Sequence, residues 1–390
     1  MTKACYVGVA GKARKVKKIY VGVANKARKV KKAYVGVGGK ARPFFSAEQK
    51  LEYYGTQWLY PSRDGLAATT VGNYALFGGG QTGHGETVAD GIGTSAVDAY
   101  SASLVQSTPT KLLQAKYWLT ATTVGNYALF GGGGRSGAWD VGFIVDAYSA
   151  SLVRSNPTRL INKSVVATTV GNYALFGGEY NTNNACLDVY NASLVHSTTT
   201  ALSVSRPDLA ATTVGNYGLF GGGGSSGDYS TVDAYSTSLV RSTPTPLSKA
   251  RANLAATTVG NYALFGGGSN SYVAGTGYIV DAYSASLVRS TPTTLNGGGS
   301  SLTATTVGDY GLFGGGALGY YGASSTVDAY NESLVHSTAT PLREGWYSWA
   351  ATTVGDYALF GGGFRRDQGD DGYARERYSS VVYAYTVLKS

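Results

Sequence analysis

"VGNYALFGGG" occupies residues 71–80, and near copies of it begin at Val124, Val170, Val214, Val259, Val307 and Val354. In each copy Gly-Asn or Gly-Asp separates two apolar runs. Glycine at that point supplies the positive φ that a two-residue hairpin turn needs. The copies lie 44 to 53 residues apart, close to the ~40–50 residues of one propeller blade. The stretch therefore reads as a strand–turn–strand written seven times.

One full unit, residues 209–247, is "LAATTVGNYGLFGGGGSSGDYSTVDAYSTSLVRSTPTPL". It predicts four strands: "LAATTV", "YGLFGG", "TVDAYS" and, after a short turn at "STS", "LVRST". Pro109, Pro157, Pro244 and Pro292 follow the fourth strand. Proline costs no ladder hydrogen bond at a sheet edge, which makes this strand the outer one. The small residues of "AATTV" suit a crowded inner strand, and pairs such as Gly78-Gly79 let neighbouring sheets approach closely. The prediction is an all-β chain, a ring of seven four-stranded blades spanning residues 47–390, behind a basic repeat arm at residues 1–46. The last unit ends "VVYAYTVLKS", 381–390, with a third strand and no fourth. Residues 51–57, "LEYYGTQ", fall in the vacant slot and are expected to complete that blade. Ser46 and Gln49 also read as a capping box opening a short helix; a strand from Leu51 is the favoured reading.

The unit resembles the kelch repeat: a small-residue strand, a turn, an apolar strand ending in Gly-Gly, and a downstream Tyr. Tyr100, Tyr148, Tyr190, Tyr235, Tyr283, Tyr330 and Tyr385 fill that last role. The chain departs from the pattern where kelch units carry a Trp after the Tyr; here the stretch is "SLVRS". The resemblance covers roughly residues 51–390 and implies a propeller, a fold that hosts unrelated functions.

In such a ring the 1–2 and 3–4 turns share one face and the 2–3 and 4–1 connections share the other. The first set is nearly uniform in this chain. The 2–3 loops differ from blade to blade and are rich in Tyr, Gly, Ser and Asn, the composition of adaptable recognition surfaces. The ligand-binding candidates are Trp139 and Phe143, Tyr180, Tyr229, Tyr272 and Tyr278, Tyr320 and Tyr321, and Phe364 and Tyr373. Simple drift of surface loops is the competing reading.

Repetition argues against catalysis. Asp98, Asp146, Asp188, Asp233, Asp281 and Asp328 recur at one blade position, with Tyr383 in the seventh place. A catalytic site needs unlike groups converging once, so these read as one structural hydrogen bond per blade. The Thr pairs, from Thr69-Thr70 to Thr352-Thr353, read the same way, satisfying backbone or water near the axis. His196 and His336 occupy the Arg slot of "LVRS" and are expected on the strand surface; His84 stands apart. Asp367, Asp370 and Asp371 in "RRDQGDDGYARER" miss the EF-hand spacing and predict a solvated, salt-bridged loop. Walker, zincin and Ser/His/Asp patterns are not found. The expectation is no catalytic residue, no metal, no cofactor and no enzyme.

Residues 1–46 hold 13 of the 32 Lys/Arg and none of the 23 Asp/Glu. The rest of the chain is mildly acidic, so its partners are not those of a globally basic protein. The arm repeats every 14 residues, marked by Tyr6, Tyr20 and Tyr34, and reads as a β-meander or stalk. Lys12, Arg14, Lys15, Lys26, Arg28 and Lys29 are its anchoring candidates. Three roles stay open: docking to an acidic assembly surface, a solvated tail, or, least favoured, binding nucleic acid or another polyanion. The two cysteines, Cys5 and Cys186, make no disulfide framework. Neither a signal peptide nor an apolar membrane-spanning run is expected.

Short glycine-valine-basic repeats before such a head loosely resemble modular phage virion and tail proteins. That resemblance implies cytoplasmic synthesis followed by residence on a virion or other extracellular particle. The arm would contact other virion or assembly proteins, or further copies of itself, and the loop face a host surface glycan or protein. The alternatives are an intracellular kelch-type interaction scaffold and a carbohydrate-active enzyme on a propeller.

Overall fold

The computed structural model describes residues 6–9, 12–15, 19–23, 26–30, 32–37, 40–46, 49–83, 93–135, 140–163, 166–178, 186–224, 227–270, 272–369 and 373–389, with side chains from residue 50 onward. The chain forms two compact units, Met1–Glu52 with Val387–Ser390, and Tyr53–Thr386. In the first unit Tyr6–Val9 pairs with Lys12–Lys15, Ile19–Val23 with Lys26–Val30, and Lys32–Val37 with Lys40–Ser46, all antiparallel. The six anchoring candidates fall on the second strands of the first two hairpins.

The second unit is a seven-bladed β-propeller of four-stranded antiparallel sheets. Blade 1 comprises Ala67–Val71, Tyr74–Gly78, Val97–Ser101 and Gln106–Ser107. Blade 4, the unit parsed above, comprises Ala210–Val214, Tyr217–Gly221, Val232–Ser236 and Arg241–Ser242. In the blade 7 sheet Gln49–Trp58 lies beside Val381–Lys389. The segment around Leu51 is thus a strand, with no helix at Gln49. Within the ring unit, the Leu59 amide donates to the Ser380 carbonyl (2.6 Å) and the Tyr53 ring meets Tyr385 edge-on at 5.7 Å.

The opening motif is explained residue by residue. Val71 faces Tyr74 across the turn at Gly72, whose φ is +55°. Ala75, Leu76 and Phe77 are fully buried. A Cβ at Gly78 would come within 2.9 Å of the Phe130 ring of the next blade, and Gly361 meets Phe77 at the same distance, closing the ring. Each blade's Phe stands edge-on to its own Tyr, as Phe77 does to Tyr100 (6.1 Å, 84°), a geometry worth ~0.5–1.5 kcal/mol beyond burial. The Tyr hydroxyl then donates to a neighbouring blade's carbonyl: Tyr235 to Thr200 (2.9 Å), Tyr385 to Thr340 (2.9 Å), and Tyr100 to Trp58.

The fourth strand differs from expectation. In blade 4 only Arg241–Ser242 is strand, and Leu239 belongs to the preceding turn at φ +60°. Leu104, Leu152, Leu194, Leu287 and Leu334 repeat this left-handed conformation. Such a backbone is costly for a bulky residue. The offset is apolar: Leu104 is buried, and the other five pack against the blade cores.

The Thr pairs join blade to blade. Thr123 Oγ1 donates to the Thr70 carbonyl, so its one proton is committed, and Thr69 Oγ1 must donate to Thr123 Oγ1 (2.8 Å). The same pair of bonds recurs at every blade junction and returns from Thr353 to Thr70. Two Thr of one blade thus grip one Thr of the next around an axial channel of about 450 Å³ lined by Ala and Thr alone.

The repeated Asp is buried in all six blades that carry it. In four, a cation from the connector before the inner strand meets it: Arg63–Asp98 at 2.6 Å, Lys116–Asp146 at 3.7 Å, Arg206–Asp233 at 2.9 Å and Arg251–Asp281 at 2.9 Å. Burial lowers the pKa of each of these cations, against the pull of its carboxylate, bringing Lys116 down to about 8. Blades 3 and 6 have Asn162 and Gly299 in that connector slot. There a connector backbone amide donates to the carboxylate oxygen instead, Asn162 N–H to Asp188 (3.1 Å) and Gly297 N–H to Asp328 (3.1 Å). The outer-strand position that holds Gln106 or Arg289 against the Asp elsewhere is a histidine: His196 Nε2 lies 2.7 Å from Asp188, and His336 Nε2 lies 2.7 Å from Asp328. These histidines were expected on the strand surface, and the correction is that both side chains are about nine-tenths buried. Blade 7 has Trp346 in the slot and Tyr383 in place of the Asp, both buried.

Candidate functional site

Exposed apolar residues on the ring fall into two classes. Val105, Val153, Val195, Val240, Val288 and Val335 repeat one position at the outer strand and are equally exposed. The others do not repeat: they include Tyr54, Trp58 and Tyr60 at the ring-closing strand, the aliphatic Leu113, Ile161 and Leu318, and several aromatics of the connection-rich face. Tyr272 is 85% exposed, Tyr320 64%, and Tyr278, Tyr321 and Tyr373 are exposed as well. Asn270 Oδ1 accepts from the amides of Tyr272 and Val273 (2.8 Å each), which fixes the backbone that presents Tyr272. Phe143 and Tyr278 end the short 3-10 turns Val141–Phe143 and Thr276–Tyr278, and Lys163 Nζ stands 5.5 Å from the Phe143 ring. Tyr229 is half-buried in blade 4. Trp139 and Tyr180 lie outside the described residues, as do His84, Asp370 and Asp371.

Three of the candidates come together at the junction of blades 6 and 7. The charged segment of blade 7, read as a loop, is a hairpin of Phe364–Gln368 with Ala374–Tyr378. Phe364 is only 5% exposed. It serves as a floor between Tyr347 (5.3 Å) and Tyr378 (5.3 Å). Arg366 lies over the Phe364 ring at 5.4 Å and the Tyr320 ring at 5.1 Å, while its guanidinium holds Glu376 at 2.9 Å. Tyr321 stands edge-on to Tyr320 at 4.8 Å. Asp367 is bound by Arg365 (3.2 Å) and Arg377 (3.0 Å). Phe143, Tyr229, Tyr272 and Tyr278 stay on their own blades.

Two features of this face lie outside the loop composition that selected those candidates. The first is Asp64, 2% exposed, whose Oδ1 has no hydrogen-bond partner among the described residues and whose Oδ2 is 3.5 Å from the Gln81 amide. Burial pushes its pKa up to about 7, with a smaller push from Glu376. The second is the rim where connectors enter the inner strands. Gly65, Trp118, Asp208, Asn253, Ser301 and Ser348 occupy equivalent positions there, all with φ between +54° and +58°. Among the described residues, five links run from one blade to the next: Trp118 N–H to Gly65 carbonyl, Gly65 to Ser348, Ser348 to Ser301, Ser301 to Asn253 and Asn253 to Asp208, at 2.7–3.1 Å. A repeat alignment of "GLAATT" with "WLTATT" exposes Trp118 as the one bulky residue in a slot otherwise filled by Gly, Asp, Asn or Ser. That was the available signal for it.

Among the described residues, no group of three or more His, Cys, Asp or Glu is placed to hold a metal ion, and no helix is long and apolar enough to cross a membrane. No family model matches the chain, and no curated protein matches it.

Proposed function

We propose that the propeller is a non-enzymatic recognition head whose connection-rich face binds a surface glycan or protein of a host cell, and that the basic arm holds it to a particle of the phage-virion kind. The observation that carries this reading is the set of exposed, unrepeated aromatics in the 2–3 connections, Tyr272, Tyr278, Tyr320, Tyr321 and Tyr373, set against valines that repeat at one outer-strand position. Rigid aromatics on a fixed scaffold supply contact area at low entropic cost, and a ring closed by seven equivalent junctions supplies the scaffold. The arm's 13 cations without a single acid suit an acidic docking surface.

Two measurements test the two halves. Deleting residues 1–46 should abolish incorporation into the particle and leave host-surface binding by the free protein intact; unchanged incorporation refutes the anchoring role. Tyr272→Ser combined with Tyr320→Ser should weaken host-surface binding at least tenfold, whereas Val240→Ser should leave it unchanged. Equal binding by all three proteins removes the loop face from consideration.

A further inference from the structure

The rim of the axial channel contains a residue that packing does not explain. Trp118 adopts φ +55° and is 50% exposed. A bulky residue in this conformation is an outlier whose cost must be offset by something. The six leucines in the same conformation are explained by burial and recur in every blade that has the turn. Trp118 occurs once, and its side chain makes no hydrogen bond or ring contact among the described residues. Its indole lies against Gly65 of the adjacent blade, where even a Cβ would sit 3.4 Å from the ring. One side of the indole is thus backed by glycine, and half of its surface stays open.

The order of blades places Asn253 and Ser301 across the rim from Trp118, since blades 5 and 6 oppose blade 2 in a ring of seven. Asn253 is exposed, Ser301 and Ser348 are partly exposed, and no protein group among the described residues bonds the Asn253 amide or these two hydroxyls. The mouth therefore has one flat aromatic wall and one wall of neutral donors and acceptors, above a channel of about 450 Å³. A pyranose has matching chemistry: a C–H face that packs on an indole, and a rim of hydroxyls that pair with amide and hydroxyl groups.

We infer that the channel mouth is a saccharide site, with Trp118 as the stacking platform and Asn253, Ser301 and Ser348 as hydroxyl partners. This rests on the glycan reading of the recognition face and names its subsite.

The test is a panel of methyl glucoside, galactoside, mannoside and N-acetylglucosaminide, titrated to millimolar concentrations against the full chain. Saturation-transfer NMR and tryptophan fluorescence serve as the readouts. At least one pyranoside should bind, with loss of tenfold or more in Trp118→Gly and a smaller loss in Asn253→Ala. Because glycine suits φ +55°, Trp118→Gly should melt at the same or a higher temperature, which separates lost binding from lost folding. Val240→Ser should leave pyranoside binding unchanged. If host-surface binding persists but Trp118→Gly binds both surface and pyranosides as the parent does, the rim site is overturned and the recognition face stands. If neither pyranosides nor host surfaces bind the full chain, both are overturned.

Discussion

Blades 4 and 7 solve one structural problem with opposite chemistry. In blade 4 the connector slot holds Arg206 against Asp233, a buried ion pair at 2.9 Å. In blade 7 the corresponding residues are Trp346 and Tyr383, both buried, with Trp349 packed on Phe360 at 5.3 Å. Both blades present the same strands to the channel. The charged solution is therefore not required by the architecture; what is required is that the two positions match. Removing one partner of a buried pair strands a charge, whereas replacing both with packed apolar groups is often neutral. Blades 3 and 6 make the same point, for where the connector cation is lost a backbone amide of the connector donates to the carboxylate oxygen that the cation holds elsewhere.

The largest expected effect breaks that match. Arg206→Leu should lower the free energy of unfolding by about 3–5 kcal/mol, because Asp233 stays buried. Arg206→Trp together with Asp233→Tyr, which transplants the blade 7 pair, should cost less than Arg206→Leu alone. Urea denaturation measures both, and a double variant worse than the single would show that the surrounding blade, not the pair, decides.

Next in size is the lone carboxyl where blade 7 meets blade 1. Asp64 has an ordinary pKa of 3.8 and a folded value of about 7. Below pH 3.8 both folded and unfolded chains hold the proton; between 3.8 and about 7 the folded chain binds more of it. Stability contributed by this group is thus lost as pH rises through that window. Asp64→Asn should be more stable than the parent at pH 8, by at most about 4 kcal/mol, and the gap should close by pH 4. A gap that does not change with pH would mean Asp64 keeps an ordinary pKa.

His196→Ala should cost about 1.5–3 kcal/mol, the value of a hydrogen bond to a charged group. It is smaller than the Arg206 effect because Asp188 still accepts from two backbone amides, Ile161 (2.8 Å) and Asn162 (3.1 Å), where Asp233 accepts from one among the described residues, Ser203 (3.1 Å). The smallest effect tests what the two blades share. Thr213→Val and Thr353→Val each remove one junction donor, at about 1–3 kcal/mol. Their melting temperatures should fall alike, since the Thr junctions are the same on both blades; unequal losses would tie the junctions to blade chemistry.

Much of this architecture was legible in the repeated sentence. The Gly-Asn turn, the apolar second strand and the Gly-Gly end are local properties, each determined by φ, burial or alternation within ten residues. The role of the Asp as scaffolding followed from its repetition. The fourth strand was read too long because Leu239 looks like a strand residue in isolation, and only its packing against the core between blades 3 and 4 accounts for a left-handed leucine. The histidines were placed on the surface because their partners, Asp188 and Asp328, lie eight residues back across a hairpin.

The candidate site was less legible for a related reason. Loop composition pointed to Tyr272, Tyr320 and Tyr321, which are exposed, and to Phe364, which is a buried floor. Trp118, at the start of the inner strand Tyr117–Val124, and Asp64, in a connector, lie outside the variable loops, and their significance depends on contacts with other segments. The amino-acid sequence by itself determined seven units, their strands and the division into a uniform and a diversified face, because those properties repeat along one chain. Tertiary structure alone decided which threonine grips which, what meets each buried Asp, and that one tryptophan lies against the glycine of the adjacent blade, because those are contacts between segments far apart in the chain and no period within it encodes the offset between neighbouring blades.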